Sequence, residues 1–385
     1  MNKELTPDLI CFSHLRWNFV YQRPQHLLTR FSTKYRVFYI EEPLFHAENS
    51  FLNVAQPSDS LWVVVPHLQN GLSEEAIIST QQELLSGLFN EMNINSYWFW
   101  YYTPMALPIG NFFKPQWIVY DCMDELSSFK FAPDALKERE KDLLQKADIV
   151  FTGGMSLYEA KKDSHGNIYP FPSSIDKAHF EKARTISDEP RDQISIPHPR
   201  LGYYGVIDER MNLSLLQEVA EKKPDWNMII IGPVVKIDPE TLPKLSNIHY
   251  LGGKSYDELP AYLGGWDIAV IPFVLDESTR FISPTKTPEY LAGGKPVIST
   301  SIKDVVHPYG DQKLVHIADT ADEFIIAATT ELEKEKEKKN LWIIETDTFL
   351  SANSWDKTWT RMMEIITKIE ESHKVVNNSK HEAYV

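Results

Sequence analysis

The sequence predicts an α/β protein made of two doubly wound domains, and three observations support this prediction. Short apolar runs alternate with helical stretches, which is typical of parallel strands joined by helical crossovers. The alternation occurs twice, with a proline-containing segment, residues 185–200, between the two series. The length of 385 residues is sufficient for two domains of ordinary size. Two such domains would place the carboxyl ends of both sheets beside a shared cleft, where ligands bind in sheets of this kind.

The first series begins with an apolar strand and an amphipathic helix. The strand is predicted at residues 8–13, and the helix at 24–34 has Leu27, Leu28 and Phe31 on one face. Further strands are predicted at residues 35–41, 61–65, 96–102, 116–122 and 148–152, and further helices at 73–92 and 133–146.

The second series contains six predicted strands with helical stretches between them. They are expected at residues 201–206, 226–231, 247–251, 267–272, 296–299 and 313–317. Because Pro190, Pro197 and Pro199 lie between the two series, residues 185–200 are the best candidate for a linker. We therefore predict an N-terminal domain over residues 1–190 and a C-terminal domain over residues 200–350.

The C-terminal part of the chain is predicted to be helical and then disordered. The mixed charge run at residues 329–340 is typical of a solvated helix. Residues 355–369 predict a last amphipathic helix, and residues 371–385 a disordered tail.

The charge balance excludes one class of partner. With 39 basic and 54 acidic residues, the net charge is −15, which argues against nucleic-acid binding because that requires a basic surface. A nucleotide site stays compatible with this balance, since a few local cations are enough for one diphosphate.

Cysteine usage and hydropathy indicate a cytoplasmic protein. Cys11 and Cys122 lie in apolar runs, so we expect reduced, inert thiols rather than a zinc site. No run reaches the roughly 18 apolar residues of a membrane span, and the N-terminus has no signal-peptide stretch. Peripheral association with the inner face of the cell membrane is compatible with these observations.

The segment of residues 273–300 has the features of a phosphate site. Ser283 or Thr285 could cap a helix whose N-terminus offers free N–H groups to an anion. Lys286 in the first turn would repel the helix dipole, which is explained if an anion lies beside it. Glu289, one turn later, could accept both hydroxyls of a ribose. The alternative is a capped surface helix with a Lys/Glu pair.

The residues SPTKTPEYLAGGKPVIST, at 283–300, resemble the nucleotide-sugar signature of GT-B glycosyltransferases. Retaining members carry two Glu residues with seven residues between them, and the second Glu holds the donor ribose. Glu289 matches the second, but Phe281 stands at the first position and Glu277 is out of register. The resemblance implies the GT-B fold, with two Rossmann-like domains facing across a cleft, and leaves inversion and retention both open.

Other segments extend this resemblance over nearly all of residues 8–370. In YYGVIDERMN, at 203–212, Gly205 would let the backbone approach the diphosphate and Arg210 would be the phosphate cation; a salt bridge of Arg210 with Asp208 or Glu209 is the alternative. Gly232 and Pro233 match the base-binding loop. Residues 354–370, which open with Ser354-Trp355, match the helix by which GT-B chains cross back to the N-terminal domain.

The N-terminal motifs FSHLRWNFVYQRPQHL and YDCMDEL resemble a bacterial group of envelope-polysaccharide sugar transferases similar to teichuronic-acid glycosyltransferases. The resemblance implies that this domain binds the acceptor, with Asp124 or His14 as the catalytic base and Asp121 as a third candidate. Arg16, Trp17 and Arg23 would bind an acidic or lipid-linked acceptor. The alternatives are a structural histidine, helix capping by Asp124 and a cation–aromatic packing cluster.

The function implied by the resemblance is transfer of a sugar from a nucleoside-diphosphate sugar, such as a UDP-sugar, to a glycan or lipid-linked acceptor in cell-surface polysaccharide synthesis. No metal or other cofactor is expected, because cationic side chains and helix dipoles would stabilise the negative charge of the diphosphate. The alternatives are a GT-B-fold UDP-sugar epimerase and a non-catalytic GT-B-like binding subunit. A hydride-transferring dinucleotide enzyme is disfavoured because no GxGxxG follows residues 8–13.

Overall fold

The computed structural model describes residues 6–382, with side chains described through residue 371. It contains two separate β-sheets, one built from the N-terminal half of the chain and one from the C-terminal half. The predicted α/β class with two parallel sheets is therefore confirmed.

The first sheet has nine strands and lies between two layers of helices. Its strands are β1 (Asp8–Ser13), β2 (Val37–Glu41), β3 (Leu44–Ala47), β4 (Phe51–Ser58), β5 (Leu61–Gln69), β6 (Tyr97–Tyr101), β7 (Ile118–Cys122), β8 (Ile149–Thr152) and β9 (Ile168–Pro170). Its helices are α1 (Arg23–Phe31), α2 (Glu74–Glu91), α3 (Leu107–Gly110), α4 (Leu136–Lys146) and α5 (Met155–Lys161). The order is β3-β5-β2-β1-β6-β7-β8-β9, and β4 pairs antiparallel with β5 while the other described pairs are parallel.

The second sheet has six parallel strands in the order β12-β11-β10-β13-β14-β15. These are β10 (Arg200–Tyr204), β11 (Asn227–Ile231), β12 (Ile248–Tyr250), β13 (Ile268–Ile271), β14 (Val297–Ser299) and β15 (Val315–Ile317). The helices of this half are α6 (Lys177–Glu181), α7 (Leu213–Lys222), α8 (Leu259–Gly264), α9 (Lys286–Ala292), α10 (Lys303–Val305), α11 (Ala321–Leu332), α12 (Lys336–Leu350) and α13 (Trp355–Glu382).

Central strand β1 shows why the sequence folds into a covered parallel sheet. Leu9 and Cys11 point into one apolar core, formed with α1 and α13, while Ile10 and Phe12 point into a second core on the opposite face. A strand buried on both faces reads as a continuous apolar run, and this is what residues 8–13 provide. Cys122, at the end of β7, is also buried, and both cysteines are free thiols.

The chain crosses between the two halves at two adjacent places. Phe171 packs in the core that contains α1, whereas Ile175 packs in the core of the C-terminal half, so the outward crossing lies upstream of the predicted boundary at residue 190. Leu350 packs in the core of the C-terminal half, and Trp355 packs back in the core that contains α1. The Trp355 backbone N–H donates to the Ile175 carbonyl at 3.3 Å, so the two crossings lie side by side.

The last helix covers the first core and continues further than the sequence indicated. Trp355, Met362 and Ile366 pack in the core that contains α1. The helical backbone continues through residue 382, into the segment predicted to be disordered, and residues 383–385 lie outside the described part of the chain. None of the helices within the described residues is long and apolar enough to cross a membrane.

Candidate functional site

The carboxyl ends of the central strands of both sheets face each other across a cleft. Three hydrogen bonds join its walls. The Ser173 hydroxyl donates to the Ser283 carbonyl at 2.7 Å, and the Ser156 N–H donates to the Asp304 carboxylate at 2.9 Å. The Lys130 N–H donates to the Glu209 carboxylate at 3.3 Å. Residues from both halves therefore lie close enough to contact one ligand.

Two glycines allow the loops of the second sheet to approach each other closely. Gly205 follows β10 with a φ of +140°, and Gly232 follows β11 with a φ of +148°. A Cβ atom at Gly232 would lie 1.8 Å from the Gly205 carbonyl oxygen, and one at Gly205 would lie 2.3 Å from Lys286 Cε. Only glycine fits at either position, so the backbone near Lys286 stays free of side chains.

Lys286 is a half-buried cation without an ion-pair partner among the described carboxylates. It is the first residue of α9, and its Nζ lies over the rings of Tyr203 and Phe273, at 5.4 and 5.7 Å from their centroids. Burial, followed by the charge of Arg210, lowers the pKa of Lys286. An anion bound beside Lys286 would favour its charged form and so act against both causes of the lowered pKa.

Arg210 lies beside Lys286 and forms a bidentate pair with Asp208. Its Nε lies 2.9 Å from Asp208 Oδ1 and its Nη2 lies 2.6 Å from Oδ2, which is the salt bridge considered as the alternative. Its guanidinium carbon lies 5.4 Å from the ring centroid of Phe129, which comes from the other half of the chain. Burial lowers the pKa of Arg210, but the hydrogen bonds and charge of Asp208 outweigh this effect, so the pKa is raised overall. Nη1 has no hydrogen-bond partner in the described part of the chain, so this face of the cation is available to a ligand.

Glu289 lies one turn after Lys286 and is buried. The Tyr204 hydroxyl donates to Glu289 Oε2 at 2.8 Å. Burial raises the pKa of Glu289, while the hydrogen bond from Tyr204 and the charge of Lys286 oppose this shift. The charge of Lys286 thus acts on Glu289, although the two side chains form no salt bridge.

The expected capping of this helix by Ser283 or Thr285 is wrong. Thr285 occupies the cap position, but its backbone is already helical, with φ −58° and ψ −28°, and its side chain makes no bond to the helix. A capping side chain needs an extended backbone at this position to reach the N–H groups of the first turn. Ser283 lies further upstream and contacts Ser173 through its carbonyl.

Asp124 faces the two cations from the opposite wall of the cleft. It lies in the loop after β7, is half-buried, and its carboxylate makes no hydrogen bond with the described residues. Burial raises its pKa to about 6, and Arg210, Arg23 and Lys286 act against this shift. The carboxyl is therefore ionised at neutral pH and suited to accept a proton.

His14 directly follows β1 and is a neutral imidazole at pH 7. Burial lowers its pKa to about 4, Lys236 adds to this effect, and the backbone of Tyr102 opposes it. Its Nδ1 is buried and has no partner among the residues described. The structure thus retains both candidate bases near the cleft.

Known structures share this architecture over almost the whole chain. A sucrose-phosphate synthase from Thermosynechococcus elongatus superposes with a TM-score of 0.71 at 14% identity, covering 95% of this chain and 100% of that one. A trehalose-6-phosphate protein of E. coli bound with UDP-2-fluoro glucose gives 0.69 at 9% identity, covering 93% and 98%. Anabaena HepE in complex with UDP and glucose gives 0.67 at 12% identity, covering 94% and 100%. The fold is GT-B, as predicted.

The family comparison covers the second half of the chain. Residues 198–334 match the model described as glycosyl transferases group 1. This match covers about a third of the chain. A Bacillus subtilis protein, provisionally named the teichuronic acid biosynthesis glycosyltransferase TuaH, is 25% identical over 248 residues, which cover 57% of this chain and 61% of that relative. The match therefore spans less than two thirds of the relative's length.

The segment that matches the family model, residues 198–334, contains every residue that was predicted to bind the donor. Gly205, Gly232 and Lys286 meet at one place, with Arg210 and Glu289 electrostatically coupled to Lys286. Pro233 follows Gly232, and its carbonyl accepts from the Ile207 N–H at 2.9 Å, which ties the loops after β10 and β11 together.

The predicted acceptor residues in the N-terminal half are largely occupied by partners within the protein. Arg23 is buried and pairs with Asp121 through two hydrogen bonds of 2.8 and 2.9 Å, so both residues have a structural role. Arg16 donates to Glu41 at 2.9 Å, and the Trp17 N–H donates to the same carboxylate at 2.7 Å. The Arg23 guanidinium therefore has no nitrogen free to bind an acidic acceptor, and the Arg16 guanidinium is partly engaged.

Three residues near the candidate site, Lys236, Phe129 and Tyr204, were missed by the sequence analysis. Lys236 has a positive φ of 63°, lies 5.3 Å from the Phe129 ring centroid and acts on His14. The Tyr204 hydroxyl donates a hydrogen bond to Glu289. No local sequence pattern predicts a lysine with a left-handed backbone, so Lys236 could not be inferred. Phe129 lies beside Arg210 and Lys236 only because the two halves of the chain pack together.

Proposed function

We propose that this protein is a glycosyltransferase that moves a sugar from a nucleoside-diphosphate sugar to a glycan or lipid-linked acceptor in bacterial cell-surface polysaccharide synthesis. The observation that carries the proposal is Lys286, a half-buried cation next to Arg210 that lacks an ion-pair partner within the described chain. Two adjacent cations repel each other, and a bound diphosphate compensates both charges. The group 1 domain match and the TuaH relative support the same activity.

In this proposal, the donor lies over the loops of the glycosyltransferase domain. Arg210 and Lys286 hold the diphosphate, and Gly205 lets it approach the backbone. Glu289 accepts from the ribose hydroxyls, and Gly232 with Pro233 lies against the base. Ser283 and Thr285 complete the wall near Lys286. UDP is the first nucleotide to test, because the E. coli and Anabaena proteins named above were solved with UDP compounds.

The acceptor hydroxyl attacks the anomeric carbon from the side of the N-terminal domain. As the new C–O bond forms, the bond to the diphosphate oxygen breaks, and Asp124 takes the hydroxyl proton. Arg210 and Lys286 neutralise the charge that develops on the leaving diphosphate. His14 is the alternative base. If neither residue is needed, a retaining mechanism becomes the better explanation.

Two further parts of the proposal concern cofactors and location. Because the two cations supply the charge for the leaving group, we propose that no metal is required, so EDTA should leave the rate of transfer unchanged. We also place the protein in the cytoplasm, with peripheral association at the inner membrane face, which cell fractionation would test.

The decisive experiment measures nucleotide release by the full-length protein with a panel of UDP- and GDP-sugars, with and without acceptor glycans. One donor should give nucleotide release that depends on Lys286, while Lys222→Ala, which removes an exposed lysine paired with Asp322, serves as the matched control. Conversion of a UDP-sugar to its epimer without acceptor would favour the alternative enzyme. If no nucleoside diphosphate binds, the proposal is wrong.

A further inference from the structure

A cavity of about 280 Å³ lies in the N-terminal domain. It lies between the carboxyl ends of β1, β2 and β6 and the helix α2. Ser13, which lines it, immediately precedes His14, and Thr103 lines it just after β6. The volume is near the lower end of the range of roughly 300–1,000 Å³ for small-molecule sites. It can therefore hold one compact group rather than an extended glycan.

The walls of this cavity are mainly aliphatic. Side chains from β1 and β2, from α2 and from the segment around α3 form them: Phe12, Ile40, Ile77, Ile78, Met105 and Ile109. An apolar surface of this kind gains free energy when an apolar group displaces water from it.

The polar side chains of the lining are already hydrogen-bonded within the protein. The Ser13 hydroxyl accepts from Tyr39 at 2.7 Å, and the Thr103 hydroxyl accepts from the Met105 N–H at 3.2 Å. Glu41 is held by Arg16 and by the Trp17 backbone. The other polar side chains are likewise engaged: Gln81 with the Ile77 carbonyl and Arg139 with Glu74. A sugar ring in this cavity would find few free partners for its hydroxyl groups, which is costly for buried polar groups.

Glu42 is the exception. Arg16 donates to the Glu42 carbonyl at 2.6 Å, while the Glu42 carboxylate makes no hydrogen bond or ion pair with the described residues. This exposed carboxylate lines the cavity next to Glu41, and the charge of Arg16 acts on it without a direct ion pair. A phosphate or carboxylate in the cavity would be repelled by it.

We propose that this cavity receives an uncharged apolar group, alkyl or aryl, carried by the acceptor, and that Glu42 excludes acceptors with an anionic group at this place. The inference rests on the proposed function and names the acceptor class of that same cleft. It replaces the expectation of an acidic acceptor, because Arg16 and Arg23 are engaged with carboxylates.

The test compares three probes on the full-length protein in the presence of UDP, below their micellar concentrations: methyl β-D-glucoside, octyl β-D-glucoside and 7-carboxyheptyl β-D-glucoside, which carries a carboxylate at the end of the alkyl chain. Affinities are measured by ligand-observed NMR titration. Octyl glucoside should bind at least about tenfold more tightly than methyl glucoside, because the alkyl chain leaves water. The carboxyheptyl glucoside should bind more weakly than octyl glucoside, and Glu42→Gln should reduce this difference at least about threefold.

Two variants of α2 separate cavity binding from detergent adsorption. Ile77→Trp fills the cavity and should abolish the preference for the octyl chain, whereas Ser79→Trp, on the exposed face of the same helix, should keep it. Ala106→Leu, which also fills the cavity, replaces Ile77→Trp if that variant does not fold.

Equal binding of the octyl and methyl glucosides, or an octyl preference that survives both filling variants, would overturn the inference. If the carboxyheptyl glucoside binds as weakly to Glu42→Gln as to the wild type, the role of Glu42 is overturned. The affinity for UDP, measured in the same samples, keeps the two proposals apart. Absent UDP binding contradicts the proposed function, whereas intact UDP binding without an octyl preference contradicts only the acceptor class.

Discussion

Asp124 and Arg210 face each other across the cleft from different domains, and each favours the charged form of the other. Arg210 is the largest influence that lowers the pKa of Asp124 against its burial, and Asp124 in turn helps to raise the pKa of Arg210. The candidate proton acceptor and the candidate phosphate cation are therefore coupled before any substrate binds. Neutralisation of Arg210 by a diphosphate would release Asp124 from this attraction and make it a stronger base.

Replacing Asp124 should separate catalysis from donor binding. We expect Asp124→Asn to lower the rate of transfer by about 10²–10⁴-fold, the range for loss of a general base. UDP affinity should be retained or slightly increased, because the variant removes a negative charge that competes for Arg210 and Lys286. Steady-state transfer assays and calorimetric titration with UDP measure the two effects. A fully active Asp124→Asn beside an inactive His14→Ala would assign the role of base to His14.

Replacing Lys286 should weaken donor binding without a large effect on folding. We expect Lys286→Ala to reduce the affinity for UDP by roughly 1.5–3 kcal/mol, the range for hydrogen bonds to charged groups. The thermal midpoint should change little, because no described ion pair is broken. Arg210→Ala should weaken UDP binding to a similar extent, but it should also destabilise the protein because it leaves Asp208 buried and unpaired. Unchanged UDP affinity in both variants would place the diphosphate elsewhere.

The close approach of the two glycine loops predicts a steric effect. Gly232→Ala would put a Cβ atom 1.8 Å from the Gly205 carbonyl oxygen at a φ of +148°, so the loops must separate. We expect loss of measurable UDP binding and a lower thermal midpoint. Gly253→Ala is the control, because its Cβ atom would meet only Pro233 Cδ at 4.0 Å. Equal UDP affinities for the two variants would show that the packing of these loops does not shape the donor site.

The pKa of Asp124 predicts opposite pH dependences for activity and stability. Burial raises it from 3.8 to about 6, so the rate should fall as the pH decreases below about 6, when the base is protonated. Stability has the reverse sign: the folded state binds this proton more tightly than the unfolded chain, so the contribution is lost as pH rises through about 6. The thermal midpoint of Asp124→Asn should therefore exceed that of the wild type by more at pH 8 than at pH 5. An equal difference at both pH values would contradict the buried carboxyl.

The pair of Arg23 and Asp121 should be important for stability. Arg23→Met leaves Asp121 buried without its partner, and we expect a loss of about 3–5 kcal/mol in the free energy of unfolding. Arg280→Met, which breaks an exposed pair with Glu277, should cost less than about 1 kcal/mol. Urea unfolding followed by far-UV circular dichroism measures both. Similar losses would mean that Arg23 is not needed to neutralise Asp121.

The sequence predicted most of the parallel strands because these are short runs that are largely buried, but it missed β3, which is mostly exposed, and the three-residue strand β9. The predicted strand at residues 8–13 has the bounds of β1, and the six predicted strands of the second half correspond to β10–β15. β4 escaped prediction because it is an exposed antiparallel edge strand, and its sequence lacks both a continuous apolar run and a regular alternation.

The candidate site was predicted in part. Lys286 and Glu289 lie within one motif, so their relation could be inferred from helical spacing alone. The pairing of Arg23 with Asp121 joins residues 98 positions apart, and only the sheet order brings them together. Local patterns therefore predicted the donor residues, while the packing decided which cations were already neutralised on the acceptor side.

The two side-by-side crossings, joined between Ile175 and Trp355, also determine how much entropy is lost when the cleft closes. A single flexible linker would let one domain explore many orientations relative to the other, and a ligand that bridges them would have to restrict that freedom. Two covalent connections at one edge restrict the relative motion of the domains. Each wall of the cleft therefore meets the other at a high effective concentration. In the proposed reaction, the donor-bound domain would therefore present the anomeric carbon to the acceptor wall almost as an intramolecular reactant.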